Sequence, residues 1–173
     1  MEVKCFRGHY HMWTVIQRRF DGSVLFNRSW SEYKAGFGSL DSEFWLGNDN
    51  IHDLTKNGLT YMRVDLMNST GGWNYAEYSR FSVDSEENKY NLTITGHSGG
   101  LRNDLDILHG MFFSTHDVDN DLYIYSCASN NKGGWWFHEC FKANLNGEYG
   151  SSVKWRAWTT VPLKETRMMI REP

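Results

Sequence analysis

The sequence predicts an α+β fold in which an antiparallel sheet with short helices precedes a loop-rich region. Three segments of alternating apolar and polar residues follow one another, at 61–66, 76–83 and 90–94, and they indicate an antiparallel meander. From about Gly96 this periodicity gives way to Gly, Asn and Asp residues, which are typical of loops. Aromatic residues make up 16% of the chain and continue through the second region, so we expect that region to fold as well.

Shorter patterns predict the remaining elements. Alternation predicts a strand at 13–20 and another at 164–171. Segments 29–35 and 48–57 have the composition of short helices, and Gly36 ends the first of them.

The length of 173 residues fits one domain with a sizeable core. We divide residues 1–173 into a sheet part at about 1–95, a loop-rich lobe at about 96–160 and a closing strand at 164–171. The tryptophans are expected to be mostly core, because large aromatic side chains bury the most surface per residue. For the aromatic run at 135–137 an alternative is that the rings line a sugar site, and core packing is the favoured interpretation.

Composition excludes several functions. The net charge is −3 and no block of Lys and Arg occurs, so we expect no nucleic-acid partner. There is no run of eighteen apolar residues, so we expect no membrane insertion. The chain also lacks a phosphate-binding glycine loop, paired histidines at zinc spacing and a nucleophile–base pair, so we expect no enzymatic activity.

The cysteines and the sequons bear on the cellular compartment. Cys127 and Cys140 flank a Gly- and aromatic-rich loop, while Cys5 is left over. Either the chain is secreted with a disulfide, or it holds three free thiols in the cytosol, and spacing alone does not decide between them. Residues 1–20 lack the pattern of a signal peptide. Three sequons favour secretion and are candidate glycosylation sites: Asn27, Asn68 and Asn91.

One acidic motif has the composition of a cation site. Asp residues alternate from Asp117 through Asp119 to Asp121, and hard cations such as Ca²⁺ take several anionic oxygens from irregular loops. The segment is not an EF-hand, because Leu122 and Ala128 stand where that loop needs Gly and Glu. The alternative is a solvated acidic turn without a metal.

Seven segments, taken together and in order, resemble the fibrinogen-related domain family. The segments that carry the resemblance are 13–23, 26–38, 43–52, 113–121, 133–137, 144–149 and 166–171. The stretch EFWLGNDNIH looks most like the ficolin branch, whereas the final Met-Met-Ile-Arg is closer to angiopoietin-like members. The resemblance implies a fibrinogen C-terminal-like domain: a central twisted antiparallel sheet with short helices and a loop-rich calcium-binding lobe.

The resemblance also implies a structural calcium site beside a disulfide. The matching Ca²⁺ ligands are the side chains of Asp119 and Asp121 and the backbone carbonyls of Tyr123 and Tyr125. The family disulfide maps to Cys127–Cys140, and the peptide bond before the second cysteine, which is commonly cis in relatives, is Glu139–Cys140.

The ligand pocket implied by the resemblance departs from acetyl-binding relatives. Its positions are Asn131, His138, Glu139, Cys140, Phe141 and Tyr149. Asn131 replaces a Tyr and Phe141 replaces a His, and only residues 150–154 remain of a loop that is longer in relatives. We therefore expect either a shallow site lined by Phe141 or no site at all.

Three functions stay open. The resemblance implies a secreted, ficolin-like lectin that binds glycans or acetylated groups in innate immune recognition. The alternative is an angiopoietin-like protein ligand for a receptor ectodomain, and a third possibility is a truncated product that binds nothing. Cys5 matches a family cysteine whose partner lies upstream of this chain, so we expect it to be unpaired or intermolecular. Homo-oligomers would form through regions outside this chain.

Overall fold

The structure is a computed structural model that describes residues 2–8 and 11–173. Its strands are β1 Lys4–Arg7, β2 Met12–Arg19, β3 Phe37–Gly38, β4 Phe44–Trp45, β5 Thr60–Met67, β6 Trp73–Val83, β7 Leu92–Gly99, β8 Ala143–Asn144, β9 Lys154–Trp155 and β10 Glu165–Arg171. The helices are α1 Trp30–Ala35, α2 Asn48–Thr55 and α3 Cys127–Asn131, with 3₁₀ turns at Glu86–Asn88 and Asp106–Leu108. Within the described ranges, none of the helices has the length and hydrophobicity that crossing a bilayer requires.

One antiparallel sheet dominates the fold, in the order β3-β4-β2-β10-β5-β6-β7, with β1 also paired to β2. The α+β class and the meander β5–β6–β7 are confirmed. The third strand of the meander differs in its bounds from the predicted 90–94. It begins only at Leu92, because Tyr90 has a left-handed backbone with φ of 50°. It then continues to Gly99, past the boundary at about 95 where the sheet part was expected to end.

The two faces of the sheet differ in character. Along β5, Met62, Val64 and Leu66 are fully buried, while the alternate residues are half-buried on the outer face. This alternation follows from the period of two in a strand. Helix α2 packs against the inner face over β6, with Ile51 completely buried.

Helix α1 has sequence-encoded ends. The side chains of Ser29 and Glu32 form a reciprocal capping box, which satisfies amides at the start of the helix. Gly36 follows the last turn with φ of 92°, and a Cβ there would lie 2.6 Å from the carbonyl oxygen of Leu46. Only glycine fits at that position.

The aromatic run of the lobe is core. Trp135, Trp136 and Phe137 are at most 1% exposed, so the alternative in which these rings line a sugar site is wrong. Trp136 lies against Trp45 and Phe81, with ring centroids 6.1 and 6.4 Å away, and thereby joins the lobe to the inner face of the sheet. The rings are buried because this lobe has little regular structure and needs large apolar side chains to form a core.

A buried carboxylate organises the turn after β2. The side chain of Glu43 accepts hydrogen bonds from the backbone amides of residues 20, 21, 22 and 24. The Arg19 guanidinium, which is also buried, lies 3.8 Å from the same carboxylate. Buried charges persist only when they are paired or hydrogen-bonded, and here both conditions are met.

Candidate calcium and ligand-binding lobe

The acidic motif lies in a loop that its neighbours hold in place. Ser114 exchanges backbone hydrogen bonds of 2.9 and 3.1 Å with Trp135, which ties the start of the loop to the buried core. Asn120 donates from its side chain to the carbonyl of Phe113 and from its backbone to the Ser114 hydroxyl. These contacts fix the backbone between the two predicted metal-binding residues, Asp119 and Asp121.

Asp121 is the centre of this arrangement. One carboxylate oxygen accepts the amide of Tyr123 at 2.9 Å, and the other accepts the amide of Cys127 at 2.8 Å. The Asp121 amide itself lies 3.2 Å from the Asp119 carboxylate. Burial raises the pKa of Asp121, the amides of Cys127 and Tyr123 oppose this, and the neighbouring Asp119 raises the pKa further, so that it stands above its ordinary value.

The donor set fits a calcium ion. Asp119 and Asp121 supply carboxylate oxygens close together, each oxygen keeps a lone pair after accepting one amide, and Ca²⁺ prefers such oxygen ligands. Within residues 2–8 and 11–173, no group of three or more His, Cys, Asp or Glu side chains is placed to hold a metal. The carbonyls of Tyr123 and Tyr125 stay predicted ligands.

Asp117, the first residue of the motif, has a different role. Its carboxylate accepts the Thr115 hydroxyl at 2.7 Å and the backbone amide of Trp30 at 2.9 Å. It therefore joins the loop to the first turn of α1. The spacing of the three Asp residues gave no sign of this, because Trp30 is 87 positions away in sequence.

The predicted disulfide joins Cys127, at the start of α3, to Cys140, and the Glu139–Cys140 peptide bond is cis. His138 donates its amide to the Cys140 carbonyl and accepts the Leu122 amide on its own carbonyl. The loop that holds the acidic motif and the cis peptide segment are thus in direct hydrogen-bond contact. Cys5, in contrast, is exposed on β1 and forms no disulfide within the described part of the chain.

Not all of the predicted ligand-binding positions come together. Asn131 uses its side-chain amide on the carbonyl of Cys127, while Glu139 is exposed and His138 is half-buried. Phe141 is only 8% exposed, since it packs against Phe137 and beneath Arg156, so the shallow site expected at its ring is closed.

Tyr149, the last of the predicted ligand-binding positions, contacts the end of β2. Its hydroxyl is 2.8 Å from the carbonyl oxygens of both Phe20 and Lys164, and its ring lies over the Arg19 side chain and against Gly22. This ring thus lies against the end of β2. It therefore supports the turn after β2 rather than the expected pocket.

An apolar strip at the tip of the loop that holds the acidic motif was not predicted from the sequence. Leu122, Ile124 and Tyr125 are 59, 82 and 65% exposed, although each has a large hydrophobic side chain. The signal was present as four consecutive apolar or aromatic residues between Asp121 and Ser126. Exposed contiguous apolar side chains of this kind mark interaction sites.

The three sequons lie at the surface to different degrees. Asn27 is exposed. Asn68 is half-buried, and its side-chain oxygen accepts bonds from Thr70 and Gly72. Asn91 is also half-buried, and the side-chain nitrogen to which a glycan would attach donates to the Gly110 carbonyl at 2.7 Å.

Comparison with known proteins decides the family. Residues 2–173 match the family model described as "Fibrinogen beta and gamma chains, C-terminal globular domain". The chain belongs to this family. The fibrinogen C-terminal family consists of recognition domains rather than enzymes.

Two curated relatives and one solved structure each match most of this chain. The chain is 47% identical to "Fibrinogen-like protein A" of Apostichopus parvimensis over 79% of its length, and it spans 50% of that protein. It is 49% identical to "Ryncolin-4" of Cerberus rynchops over 79% of its length, and it spans 40% of that protein. The fibrinogen-like globe domain of human ANGPTL2 superimposes with a TM-score of 0.95 at 38% identity, covering 98% of this chain and 85% of the other. The chain thus spans half or less of these curated relatives.

Proposed function

We propose that this fibrinogen-like domain is a secreted recognition module whose calcium-stabilised lobe binds glycans or acetylated groups, in the manner of a ficolin-like lectin in innate immunity. The observation that carries the proposal is the double use of the Asp121 carboxylate. It accepts the amides of Tyr123 and Cys127, and so connects the candidate ion site to the disulfide. A disulfide of this kind favours an oxidising, extracellular compartment.

Calcium would act on the shape of the lobe rather than on the sheet. An ion held by Asp119 and Asp121 with the carbonyls of Tyr123 and Tyr125 would compensate two close carboxylates. Because the Leu122 amide donates to the His138 carbonyl, ordering the loop also orders the segment before Cys140. The recognition surface then consists of the loop tip and the exposed backbone and side chain at Glu139.

The calcium proposal is tested by thermal melts in Ca²⁺ and in EGTA. At a hundredfold excess over Kd, an ion that binds only the folded state stabilises it by about 2.7 kcal/mol. For a domain of this size we expect Tm to rise by roughly 5–10 °C. The double variant Asp119→Asn/Asp121→Asn removes both charges and one acceptor oxygen at each position, so it should lose the shift. Asp41→Asn removes a fully exposed carboxylate and should keep it. A cooperative melt that is indifferent to Ca²⁺ would refute the calcium site.

The glycan proposal is tested by binding to immobilised N-acetylglucosamine. Free N-acetylglucosamine should compete and glucosamine should not, because the proposed ligand carries the acetyl group. Glu139→Ala should weaken binding at least fivefold, whereas Glu87→Ala, another exposed glutamate, should leave it unchanged. Equal competition by both sugars would exclude acetyl recognition.

A second candidate, a protein ligand for a cell-surface receptor, is favoured by the apolar strip. Leu122 and Ile124 are 59 and 82% exposed, and such side chains suit a protein interface better than a sugar. Saturable binding of the labelled domain to enzymatically deglycosylated cells would support this function. That binding should be lost in Ile124→Ser and kept in Leu59→Ser, which changes an exposed apolar residue of the sheet part.

A further inference from the structure

Two arginines face each other on the outer face of the sheet. Arg18 on β2 and Arg167 on β10 are register partners in the antiparallel ladder. Side chains directly opposite each other in this way have Cβ atoms about 5 Å apart, and like charges there are destabilising. Neither guanidinium has a hydrogen bond or a carboxylate within 4.0 Å in residues 2–8 and 11–173, where the arginine ion pairs involve only Arg19, Arg28 and Arg63. A pair of this kind is positioned to share an anion.

Another arginine on the same face of the sheet does have carboxylate partners. Arg63, on β5 of the same face, donates to Asp65 and to Glu77, both at 2.7 Å. Asp65 is the register partner of Arg167 on the other side of the ladder, but its carboxylate is engaged by Arg63. Burial lowers the pKa of the Arg167 guanidinium, Asp65 opposes this effect and Arg18 adds to it, so the positive charge at Arg167 is incompletely compensated.

Two adjoining cavities open on this face. The first, of about 320 Å³, is lined by Lys4, Cys5, Phe6, Val15, Arg18 and Arg167, a set with three basic side chains and no acidic one. The second, of about 260 Å³, shares Phe6 and Arg167 with the first and continues over Trp73, Asn74, Tyr75, Arg63 and Asp65. Asp65 is the one carboxylate in this lining, and it is paired with Arg63 at 2.7 Å. A charged compartment and an aromatic compartment therefore meet at Arg167.

Aromatic rings orient the guanidinium groups. The Arg167 guanidinium carbon lies 4.3 Å from the centroid of the Phe6 ring and 5.8 Å from that of Trp73. Arg18 is similarly placed, 4.5 Å over Phe20. Stacking uses the face of the planar guanidinium and leaves the N–H groups at its edge available, which is the geometry that binds carboxylate or sulfate oxygens in pairs.

We propose that this face binds an acidic sugar residue, whose carboxylate or sulfate is held by Arg18 and Arg167 and whose ring packs on Trp73. The aromatic compartment favours a sugar over an inorganic ion, because Trp73 and Tyr75 remain 47 and 37% exposed beside the cationic pair. This site lies on the outer face of the sheet, whereas the calcium lobe packs through Trp136 on the inner face.

The probe is a heparin-derived tetrasaccharide, measured by titration calorimetry at low salt. We expect Arg18→Gln and Arg167→Gln each to weaken binding at least tenfold and Trp73→Ala to weaken it about threefold or more. Arg102→Gln, which removes an exposed arginine of the loop lobe, should leave it unchanged. The same tetrasaccharide without its sulfates distinguishes the two anion sources: retained binding assigns the uronate carboxylate, and lost binding assigns the sulfate ester.

A second measurement separates ligand binding from a structural role. Without ligand, Arg18→Gln and Arg167→Gln should each melt at or above the temperature of the unsubstituted domain, because either change removes a like-charge contact. A fall in Tm in both variants would show that the pair is structural and would overturn the proposal.

Other outcomes also overturn it. These are an absence of tetrasaccharide binding, equal binding of neutral chitotetraose, an equal loss in Arg102→Gln, and stronger binding of an oligoglutamate peptide than of the sugar. The Glu139→Ala variant separates this site from the proposed lectin site, since it should reduce N-acetylglucosamine binding and leave tetrasaccharide binding intact.

Discussion

The central strands and the loop-rich lobe satisfy their buried main-chain groups in different ways. In the sheet, β2, β5, β6 and β10 exchange backbone hydrogen bonds along antiparallel ladders. In the lobe, side chains supply hydrogen-bond donors to the buried carbonyls. The indole N–H groups of Trp135, Trp136 and Trp155 donate to the carbonyls of Ala143, Tyr90 and Arg102.

Amide side chains extend this network across the junction. Asn146 donates to the carbonyl of Gly134 at 3.0 Å, and Gln17 of β2 donates to the carbonyl of Leu145 at 2.9 Å. Buried carbonyls are thus paired without strands, as they must be in any stable interior. The lobe's main chain therefore depends on individual side chains, so single substitutions there should have larger consequences than in the ladders.

The largest expected effect is that of Trp136→Ala. The side chain is 1% exposed, and removing it creates a cavity at the sheet–lobe junction and leaves the Tyr90 carbonyl without its donor. We expect the free energy of unfolding to fall by about 3–5 kcal/mol. Chemical denaturation measures this loss, with Trp73→Ala, whose side chain is 47% exposed, as the matched control at about 1 kcal/mol or less. A similar loss in both variants would contradict the comparison.

Removal of the disulfide should have the next largest effect. Cys127 and Cys140 are 13 positions apart, and closing a loop of this size stabilises a domain by roughly 3 kcal/mol. In Cys127→Ser/Cys140→Ser we expect amide hydrogen exchange to accelerate between residues 121 and 141, while β5 and β6 keep their protection under native conditions. Uniform acceleration over the whole chain would show that the lobe and the sheet unfold as one unit.

The smallest expected effect concerns an ion-pair cluster at the surface of the junction. The Lys34 ammonium lies 2.9 Å from Asp49 and 2.6 Å from Glu86, which joins α1 to α2 and to the 3₁₀ turn before β7. Burial raises the pKa of Asp49, but hydrogen bonds from Tyr90 and Lys34 outweigh it and leave the value lowered. Lys34 and Trp30 lower the pKa of Glu86.

The lowered pKa values of these two carboxylates predict that the stabilisation by Lys34 weakens as the pH falls. Lowered carboxylate pKa values stabilise the fold above the ordinary values of 3.8 and 4.5, and this contribution is lost as the pH falls through the lowered ones. The difference in Tm between the unsubstituted domain and Lys34→Met should therefore shrink as the pH is lowered from 7 to 3. A difference that stays constant would assign the effect of Lys34 to packing.

Local patterns predicted most elements of the sheet. The alternation in β2, β5, β6 and β10 reflects one buried face, and α1 begins and ends where its cap residues stand. The position of β10 between β2 and β5 was not predictable from these patterns, because pairing partners so distant in sequence leave no periodic signal. The two-residue strands β3, β4, β8 and β9 are too short to show alternation at all.

The candidate site was predictable only in part. The disulfide and the acidic pair followed from the resemblance to the family, whereas the calcium itself stays a prediction. The closure of the Phe141 site and the displacement of Tyr149 result from contacts with Arg156 and with Phe20, which no local spacing encodes. The opposed Arg18 and Arg167 became visible only when the register of β2 and β10 was known.

The central position of β10 also sets the order in which the domain can be completed. The strand that joins β2 to β5 consists of residues 165–171, so the two halves of the sheet remain separate until the ribosome has made almost the whole of this chain. The hydrogen bond between Thr166 and Gln17 spans 149 positions, and contacts of such range make folding slow. Until then the flanking edges of β2 and β5 are open, so the nascent domain is most in need of chaperones before this strand has been made.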